Sequence, residues 1–433
     1  MSVTPVRLVA DVVVPSIADT VWHGGAVDID AEGRIVAAGR EAELPPATGE
    51  RRVVGGLLLP GFVNAHAHTP MTLVRSVGDG AALDSWLRDH VWPREGRMTV
   101  DDAAWGMRLG VAEMLLAGVT TTYEMYLHED RIAEAGAGVG QRVVACGGIF
   151  SGLLDGNDPT RRLDQLDATR ARFADDDLIT IGYGPHSLYD LPVEAVREIG
   201  RRAIAAGAPV TIHLEETTAE RDVVIERDGR PATETLAEVG FLAARPVCAH
   251  GVWLSASDQD LLREHGASVV HCPSSNLKLG SGIAPIAAMR ERGVTVALGT
   301  DGPASNDRLD LWDELRLAGL LARGSTHDPT VARPADVLAW GTRTGGEAIG
   351  QPDLGHLSPG ARADLVRIDL DQPAFTPGLP EDLLTHLVYS GSSRHVTDVW
   401  VGGRQVVADG ALTTADLGEI RHETVSIARR LAA

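Results

Sequence analysis

Lysine is almost missing from this chain: Lys278 is the only one in 433 residues, and Lys plus Arg together number 39 against 60 Asp plus Glu. A formal charge of −21 repels phosphate backbones and anionic lipid, so neither a nucleic acid polymer nor a membrane surface is an expected partner. Cysteine is scarce as well. Cys146, Cys248 and Cys272 are odd in number and far apart, which argues against a disulfide framework and for a reducing, cytoplasmic setting. No long hydrophobic run exists. The longest apolar stretch, 53–65, is interrupted by Gly55, Gly56, Pro60 and Gly61 and falls short of the roughly 20 residues that span a bilayer. Residues 1–16 lack a basic start and a small-residue cleavage site, so a strand is expected there rather than a signal peptide. What the chain does have is ordinary globular mass. Hydrophobic residues make up 44% and charged residues 23%, enough for a large domain with a smaller companion.

The middle of the chain alternates helix and strand signals. Thr99 before Asp101 and Asp102 predicts a helix N-cap with first-turn acids, Trp105, Leu109, Ala112 and Leu116 keep helical spacing, and Gly118 ends the helix before a strand at 119–124. Helices predicted over 193–207, 234–243, 257–266 and 283–293 lead to strands at 209–214, 246–250, 268–271 and 294–301. This pattern predicts an α/β fold, a (β/α)8 TIM-like barrel over residues 59–354. The ends read differently. Residues 1–58 and 355–433 show short alternating strands, such as 26–30 and 396–403, and are expected to pair into one small β-sandwich domain, with a helix at 416–431. Gly136, Gly138 and Gly140 do not follow a strand in the dinucleotide-binding pattern and are read as a helix end.

Polar residues at the predicted strand ends carry the functional signal. His66 and His68 follow an apolar run and, two apart in a strand, point to one side, so both imidazoles can meet one cation. Alone, an H-x-H pair is weak evidence. His213, His250, His271 and Asp301, however, each fall at or near the C-terminal end of a separate predicted strand, the face on which barrels build active sites. His66, His68, His213 and Asp301 are the expected ligands of one divalent metal ion, with zinc the best fit and iron, manganese or nickel allowed by ligand type. A two-metal site bridged by a carboxylated lysine needs a lysine at an inner strand end. Lys278 sits instead in the expected loop 275–280 after the seventh strand, so a single metal is favoured. Glu216, three residues past His213, can shuttle a proton, with an N-cap role for it or for Glu215 as the plainer reading. His250 can polarise substrate as a hydrogen-bond donor, or become a ligand if a second metal binds. His271 is given either a site role or a structural one, holding the turn 273–276.

Taken together, Pro60-Gly-Phe-Val-Asn-Ala-His-Ala-His68, Gly184-Pro-His186, His213-Leu-Glu-Glu-Thr217, Ser275-Asn-Leu-Lys-Leu279, Gly299-Thr-Asp-Gly-Pro-Ala-Ser-Asn306 and Gly360-Ala-Arg-Ala-Asp-Leu365 resemble the amidohydrolase superfamily. Within it, Trp86-Leu-Arg-Asp-His-Val-Trp-Pro93 and Glu124-Met-Tyr126 are similar to the S-adenosylhomocysteine / 5′-methylthioadenosine deaminase and chlorohydrolase group. The resemblance implies hydrolytic deamination of an adenine nucleoside or related aminated heterocycle, and a possible homo-oligomer. It implies metal binding by His66, His68, His213 and Asp301, proton transfer and polarisation by Glu216, His250 and Asp301, and substrate contact by Asp84, Trp86, Arg162, His186, Glu216 and Ser305.

Two positions depart from the group. Asp84 stands where a glutamate receives the ribose hydroxyls, and Cys146-Gly-Gly148 replaces a stretch with an arginine for the homocysteine carboxylate, leaving Arg162, or its neighbour Arg161, as the second such arginine. Loss of one guanidinium favours an uncharged 5′ substituent. Chlorotriazine-type hydrolysis and guanine- or pterin-type deamination share the metal site and remain alternatives. A cytidine-deaminase-type zinc site is disfavoured, because His213-Leu-Glu215 gives H-x-E without any P-C-x-x-C. A metal-storing scaffold has no use for an acid beside an open coordination position.

Overall fold

A computed structural model describes residues 3–16 and 19–432. Five strands open the chain: β1 (Val6–Val13), β2 (Trp22–Ile29), β3 (Ile35–Arg40), β4 (Glu50–Val53) and β5 (Leu57–Pro60). Eight more follow as β6 (Phe62–Ala67), β7 (Val119–Tyr126), β8 (Arg142–Ile149), β9 (Ile179–Pro185), β10 (Thr211–Leu214), β11 (Val247–His250), β12 (Ser268–His271) and β13 (Thr295–Leu298). The chain returns to short strands with β14 (Leu365–Ile368), β15 (Val396–Val401), β16 (Arg404–Ala408) and β17 (Ala411–Leu412).

The middle eight strands form two parallel four-stranded sheets, β6-β7-β8-β9 and β10-β11-β12-β13. Isolated parallel bridges link Tyr183 to Val210 and Ser187 to His213 on one side, and Ala67 to Asp301 on the other. Helices run between the strands, as the α/β reading requires. The helix Val100–Leu116 starts on a capping box: Asp102 N–H donates to Thr99 Oγ1 at 3.2 Å while Asp102 Oδ2 accepts from Thr99 N–H at 2.7 Å. Every residue of β7 and β8 is buried, so neither strand alternates between buried and exposed residues, and β7 carries Thr120, Thr121, Thr122 and Glu124 into the interior.

Several boundaries differ from the sequence reading. The helix expected at 234–243 is Ala232–Glu238 followed by a 3-10 turn at Phe241–Ala244, because Gly240 adopts φ 78° between them. The helix expected at 283–293 shrinks to Ile286–Glu291, and the segment 275–280 is no loop but the end of a helix, Pro273–Lys278. Of the three clustered glycines, Gly140 caps the helix Glu129–Val139 at φ 112°, whereas Gly136 and Gly138 lie within it.

Both chain ends meet in one nine-stranded sheet, ordered β17-β16-β15-β14-β5-β1-β2-β3 with β4 beside β1. Alternate residues along its central strands enter different apolar clusters. Leu8, Val13, Leu58, Leu365 and Trp400 pack in one cluster, and Val12, Leu57, Leu59, Val366 and Ile368 join the main core with the helices of the middle segment. The last helix, Leu417–Ala432, lies against Val100–Leu116, where Arg430 donates to Asp102 Oδ2 at 2.5 Å and Ile427 and Leu431 cover Leu73. Among the described residues no helix is long and apolar enough to cross a membrane.

Candidate metal centre and catalytic cavity

Strand β6 delivers the first two imidazoles. β5 belongs to the nine-stranded sheet and only Gly61 separates it from β6, so the register of His66 and His68 is anchored from both sides. Gly299, just after β13, comes so close to β6 that a Cβ there would stand 2.8 and 2.9 Å from the His66 backbone oxygen and nitrogen. Only glycine allows Asp301 N–H to reach the His66 carbonyl at 3.0 Å.

Four donor atoms converge there. His68 Nε2 lies 3.2 Å from Asp301 Oδ1 and 3.2 Å from His213 Nε2, and His66 Nε2 lies 3.6 Å from Asp301 Oδ1. The opposite nitrogens set the tautomers. His68 Nδ1–H donates to the Met125 carbonyl at 2.6 Å and His213 Nδ1–H to the His186 carbonyl at 2.8 Å, so in the neutral rings both Nε2 lone pairs face inward. Both ring nitrogens of His66 are buried without a partner. Lone pairs packed this closely, beside a carboxylate and an orphaned buried imidazole, suit a divalent cation. His66, His68 and His213 form one candidate ligand group and His66, His250 and Asp301 another.

The electrostatics match. Burial takes His66 down to about 4, and burial with the neighbouring imidazoles holds His213 well below its ordinary value. Burial also opposes charge on His68, but Asp301 overrides it and lifts that imidazole to about 9, marking where a positive charge is welcome. Asp301 is buried, yet His66 and His68 hold it well below the usual carboxylate range. Its Oδ2 accepts from Ser275 Oγ at 2.5 Å and Ser305 Oγ at 2.9 Å, leaving Oδ1 for the ion.

Glu216 and His250 stand together beside this cluster. Glu216 Oε1 accepts from Ser281 Oγ at 3.2 Å, and Oε2 lies 3.7 Å from His250 Nε2. Burial raises Glu216 above the ordinary carboxylate range, the state a proton shuttle needs. Burial disfavours charge on His250, but Glu216 and Asp301 outweigh it and raise that imidazole. His250 Nδ1 meets Asn276 Oδ1 at 2.9 Å, so this ring also presents Nε2 to the cavity. The neighbouring acids are separated by backbone. Glu215, at φ 52°, turns away to Arg221 at 2.8 Å, while Glu220 accepts both N–H groups of the pair, at 3.2 Å from Glu215 and 2.8 Å from Glu216. The N-cap of the next helix is Thr217. His250 at φ 74° and Asp301 at φ 61° are likewise left-handed, strain typical of functional positions.

A cavity of about 630 Å³, counted with its open mouth, holds His68, His213, Glu216, His250, Asp301 and Ser305 on its floor. Its walls are apolar and aromatic: Met71, Leu83, Trp86, Leu87, Trp92, Met125, Phe150 and Leu279. Trp86 is fixed by Nε1–H donation to the Val77 carbonyl at 2.7 Å, and His186 packs on Phe150 with ring centroids 5.0 Å apart. His66 stands behind the floor, wholly buried.

Two expected substrate residues are placed elsewhere. The Asp84 side chain is 76% exposed and pairs with Arg88, and neither lines the cavity. Arg162 is spent on Glu129, with contacts at 2.8 and 3.2 Å, and on the Gly148 carbonyl at 3.2 Å. Gly147 explains the pairing, because a Cβ there would fall 2.9 Å from Arg162 Nη2 and 3.0 Å from Glu129 Cδ. His271 is buried with Nδ1 unpartnered and is lowered to about 3 by burial, so it does not hold the segment 273–276 through that nitrogen.

Residues missed from sequence include Ser275, Asn276 and Ser281, which hold Asp301, His250 and Glu216. The first two lie in the Ser275-Asn-Leu-Lys-Leu279 motif and could have been singled out there. Glu95 was also missed. It lines the cavity and accepts from the Tyr126 hydroxyl, and no spacing rule pointed to it.

Residues 57–406 match the family described as the Amidohydrolase family. A Halobacterium salinarum protein named 5-methylthioadenosine/S-adenosylhomocysteine deaminase is 39% identical over 411 residues, covering 94% of this chain and 93% of that one. A Methanopyrus kandleri protein named 5′-deoxyadenosine deaminase is 34% identical over 443 residues, covering 100% and 97%. Among solved structures, an adenosine deaminase from Xanthomonas campestris with bound zinc superposes with a TM-score of 0.94 at 31% identity, covering 99% of each chain. With most of its length matched to that family model, and a parallel α/β core carrying the histidine cluster at its strand ends, the chain belongs to the amidohydrolase family.

Proposed function

We propose that the chain is a metal-dependent hydrolytic deaminase of an adenine nucleoside with an uncharged 5′ substituent. The observation that carries this reading is the convergence of three imidazoles and Asp301 Oδ1 beside the Glu216–His250 pair, on the floor of an apolar cavity. The names of the relatives supply the substrate class. No lysine or arginine lines the cavity among the described residues, which favours a methylthio, hydrogen or hydroxyl group over a charged amino acid at the 5′ position.

One divalent ion, best fitted by zinc, would be held by His66, His68, His213 and Asp301, and its charge would make water a competent nucleophile at neutral pH. The chain's own residues do the rest. The Asp301 carboxylate takes one proton as water adds to the carbon bearing the amino group. Glu216, whose burial favours the protonated form, gives its proton to the adjacent ring nitrogen. His250 Nε2 hydrogen-bonds the new oxygen, the amino group departs as ammonia with the proton held at Asp301, and the remaining hydroxyl proton returns to the Glu216 carboxylate as the carbonyl forms. The apolar walls stack the base and exclude bulk water, with His186 at the purine edge.

The two parallel sheets are read as one (β/α)8 barrel over 59–354, on the support of the bridges at both sheet edges. The terminal segments 1–58 and 355–433 are read as a composite β-sandwich domain, on the support of the single nine-stranded sheet to which both contribute and of the apolar cluster confined to them. Three free, buried cysteines support a reducing, cytoplasmic setting. The test is ammonia release by metal-assayed protein from adenosine, 5′-methylthioadenosine, 5′-deoxyadenosine, S-adenosylhomocysteine, guanine and an aminotriazine. Turnover is expected for the uncharged adenine nucleosides. Metal without ammonia from any of the panel refutes the reading.

A further inference from the structure

If β10 simply continued past Leu214, alternation would send the side chain of Glu215 inward beside that of His213 and turn Glu216 outward. The structure shows the reverse: Glu216 lines the cavity and Glu215 leaves it for Arg221 at 2.8 Å. The exchange is made by the left-handed backbone of Glu215, at φ 52°, a conformation that costs a non-glycine residue energy unless its surroundings impose it. Both faces of that backbone are held. The Glu215 carbonyl accepts from Trp253 N–H at 3.0 Å, and the amides of Glu215 and Glu216 donate to the single carboxylate of Glu220, at 3.2 and 2.8 Å.

Glu220 is not spent on its own helix. Thr217 is the N-cap of Thr218–Asp228 and accepts from Glu220 N–H at 3.2 Å. An acid three residues past an N-cap commonly returns to the N-cap amide. The Glu220 side chain reaches one and two residues further back, and those two amides are its hydrogen-bond partners among the described residues. It is 6% exposed, and burial, with the charges of Glu216 and Glu215, pushes it up to about 7 although the Glu216 amide opposes the shift. A carboxylate buried at that cost is accounted for by what it grips. Glutamine cannot do the same, because its one carbonyl oxygen serves one amide while its NH2 meets the other donor against donor.

We propose that Glu220 is a positioning residue for proton transfer: by gripping two successive amides it fixes the reversal that aims Glu216 at the cavity and Glu215 away from it. This rests on the deaminase reading above. Glu220 does not line the cavity itself, so it acts through Glu216. The reversal is also tied through Trp253 to the segment that follows His250, so backbone sets Glu216 and His250 relative to one another before their side chains approach at 3.7 Å.

The experiment measures kcat and KM for adenosine and 5′-methylthioadenosine on the zinc-loaded wild type, E220Q, E220D, E216Q and the double variant E216Q/E220Q. Metal content and thermal midpoint are recorded for each. E220Q is expected to lose about 10- to 100-fold in kcat with KM within about threefold and metal content unchanged. E220D keeps the first-turn charge but is a methylene short of gripping both amides, so a smaller loss of the same kind is expected, which keeps the test informative should E220Q fold poorly. On the E216Q background, adding E220Q should lower the residual rate by less than about twofold, because a residue that acts through Glu216 then has nothing left to place. A kcat within about threefold of wild type in both E220Q and E220D, a loss accounted for by lost metal, or an equal loss with and without Glu216 overturns the assignment. If the wild type releases ammonia from neither nucleoside, the deaminase reading itself has failed and this inference falls with it.

Discussion

Strands β7, β8 and β9 run for eight, eight and seven residues, whereas β10, β11, β12 and β13 have four each. The long strands place Met125, Tyr126, Phe150 and His186 around the cavity, with the Tyr126 hydroxyl on Glu95 and the His186 ring on Phe150. At the ends of the short strands Glu215, His250 and Asp301 adopt left-handed backbone, which turns Glu215 away to Arg221 and leaves Glu216, His250 and Asp301 lining the cavity floor. On the proposed function, one sheet would furnish the wall that holds a base and the other the proton-handling groups, with β6 lending two candidate ligands across the junction. Strand length sets this division. A strand that ends within the core must spend its next residue on a sharp reversal, and the non-glycine residues there are kept for their side chains despite the conformational cost.

Four substitutions sharpen or break the division. On the short-strand side, Glu216→Gln is expected to lower kcat by about 100- to 10,000-fold with metal content unchanged, measured by ammonia release and metal assay. A rate within threefold of wild type would remove Glu216 from the chemistry. On the long-strand side, Arg162→Met leaves the buried Glu129 unpaired and should cost about 3–5 kcal/mol of stability in denaturant titration, with KM for an uncharged nucleoside unaltered. A raised KM at wild-type stability would instead make Arg162 a substrate contact. Phe150→Ala removes a stacking surface and should raise KM about 5- to 100-fold while kcat holds. A kcat effect without a KM effect would blur the two sheets' roles.

The smallest effect concerns Glu314, which is fully buried, accepts from Asn306 at 2.7 Å and from Ser274 N–H at 3.1 Å, and is pushed by burial to about 7. Its folded pKa lies above the unfolded value of about 4.3, so the stability it supplies is complete below that value and fades as pH rises through about 7. The thermal midpoint of the wild type should fall further between pH 5 and pH 8 than that of Glu314→Gln, by roughly 2 °C or more. Parallel curves would show that Glu314 stays ionised throughout.

The chemistry was legible where apolar runs end in polar residues. His66, His68, His213, His250 and Asp301 announce themselves because a buried strand has no other reason to finish on such groups. The strand Ser268–His271 coincides with its sequence reading for the same reason. Specificity was less legible. Asp84 lies in the short helix Leu83–Ser85 and Arg162 in the first turn of the helix Thr160–Arg172, and their partners Arg88 and Glu129 compete for them in ways that spacing does not reveal. Glu95 and Tyr126 are 31 residues apart and meet only because the segment after β6 folds back over the mouth of β7. Short helices such as Ile286–Glu291 were overextended because apolar spacing continues past the point where the backbone turns.

Strand β5 lies between β1 and β14, pairing in parallel with the first and antiparallel with the second, from Leu57 opposite Ile368 to Pro60 opposite Leu365. It continues through Gly61 into the strand that bears His66 and His68. During synthesis the first two ligands emerge early, but one flank of their anchor stays bare until about 300 further residues have been made. The order of translation thus delays a finished ion site until nearly the whole chain exists. A product truncated before residue 365 would carry every ligand and still lack the strand that fixes two of them.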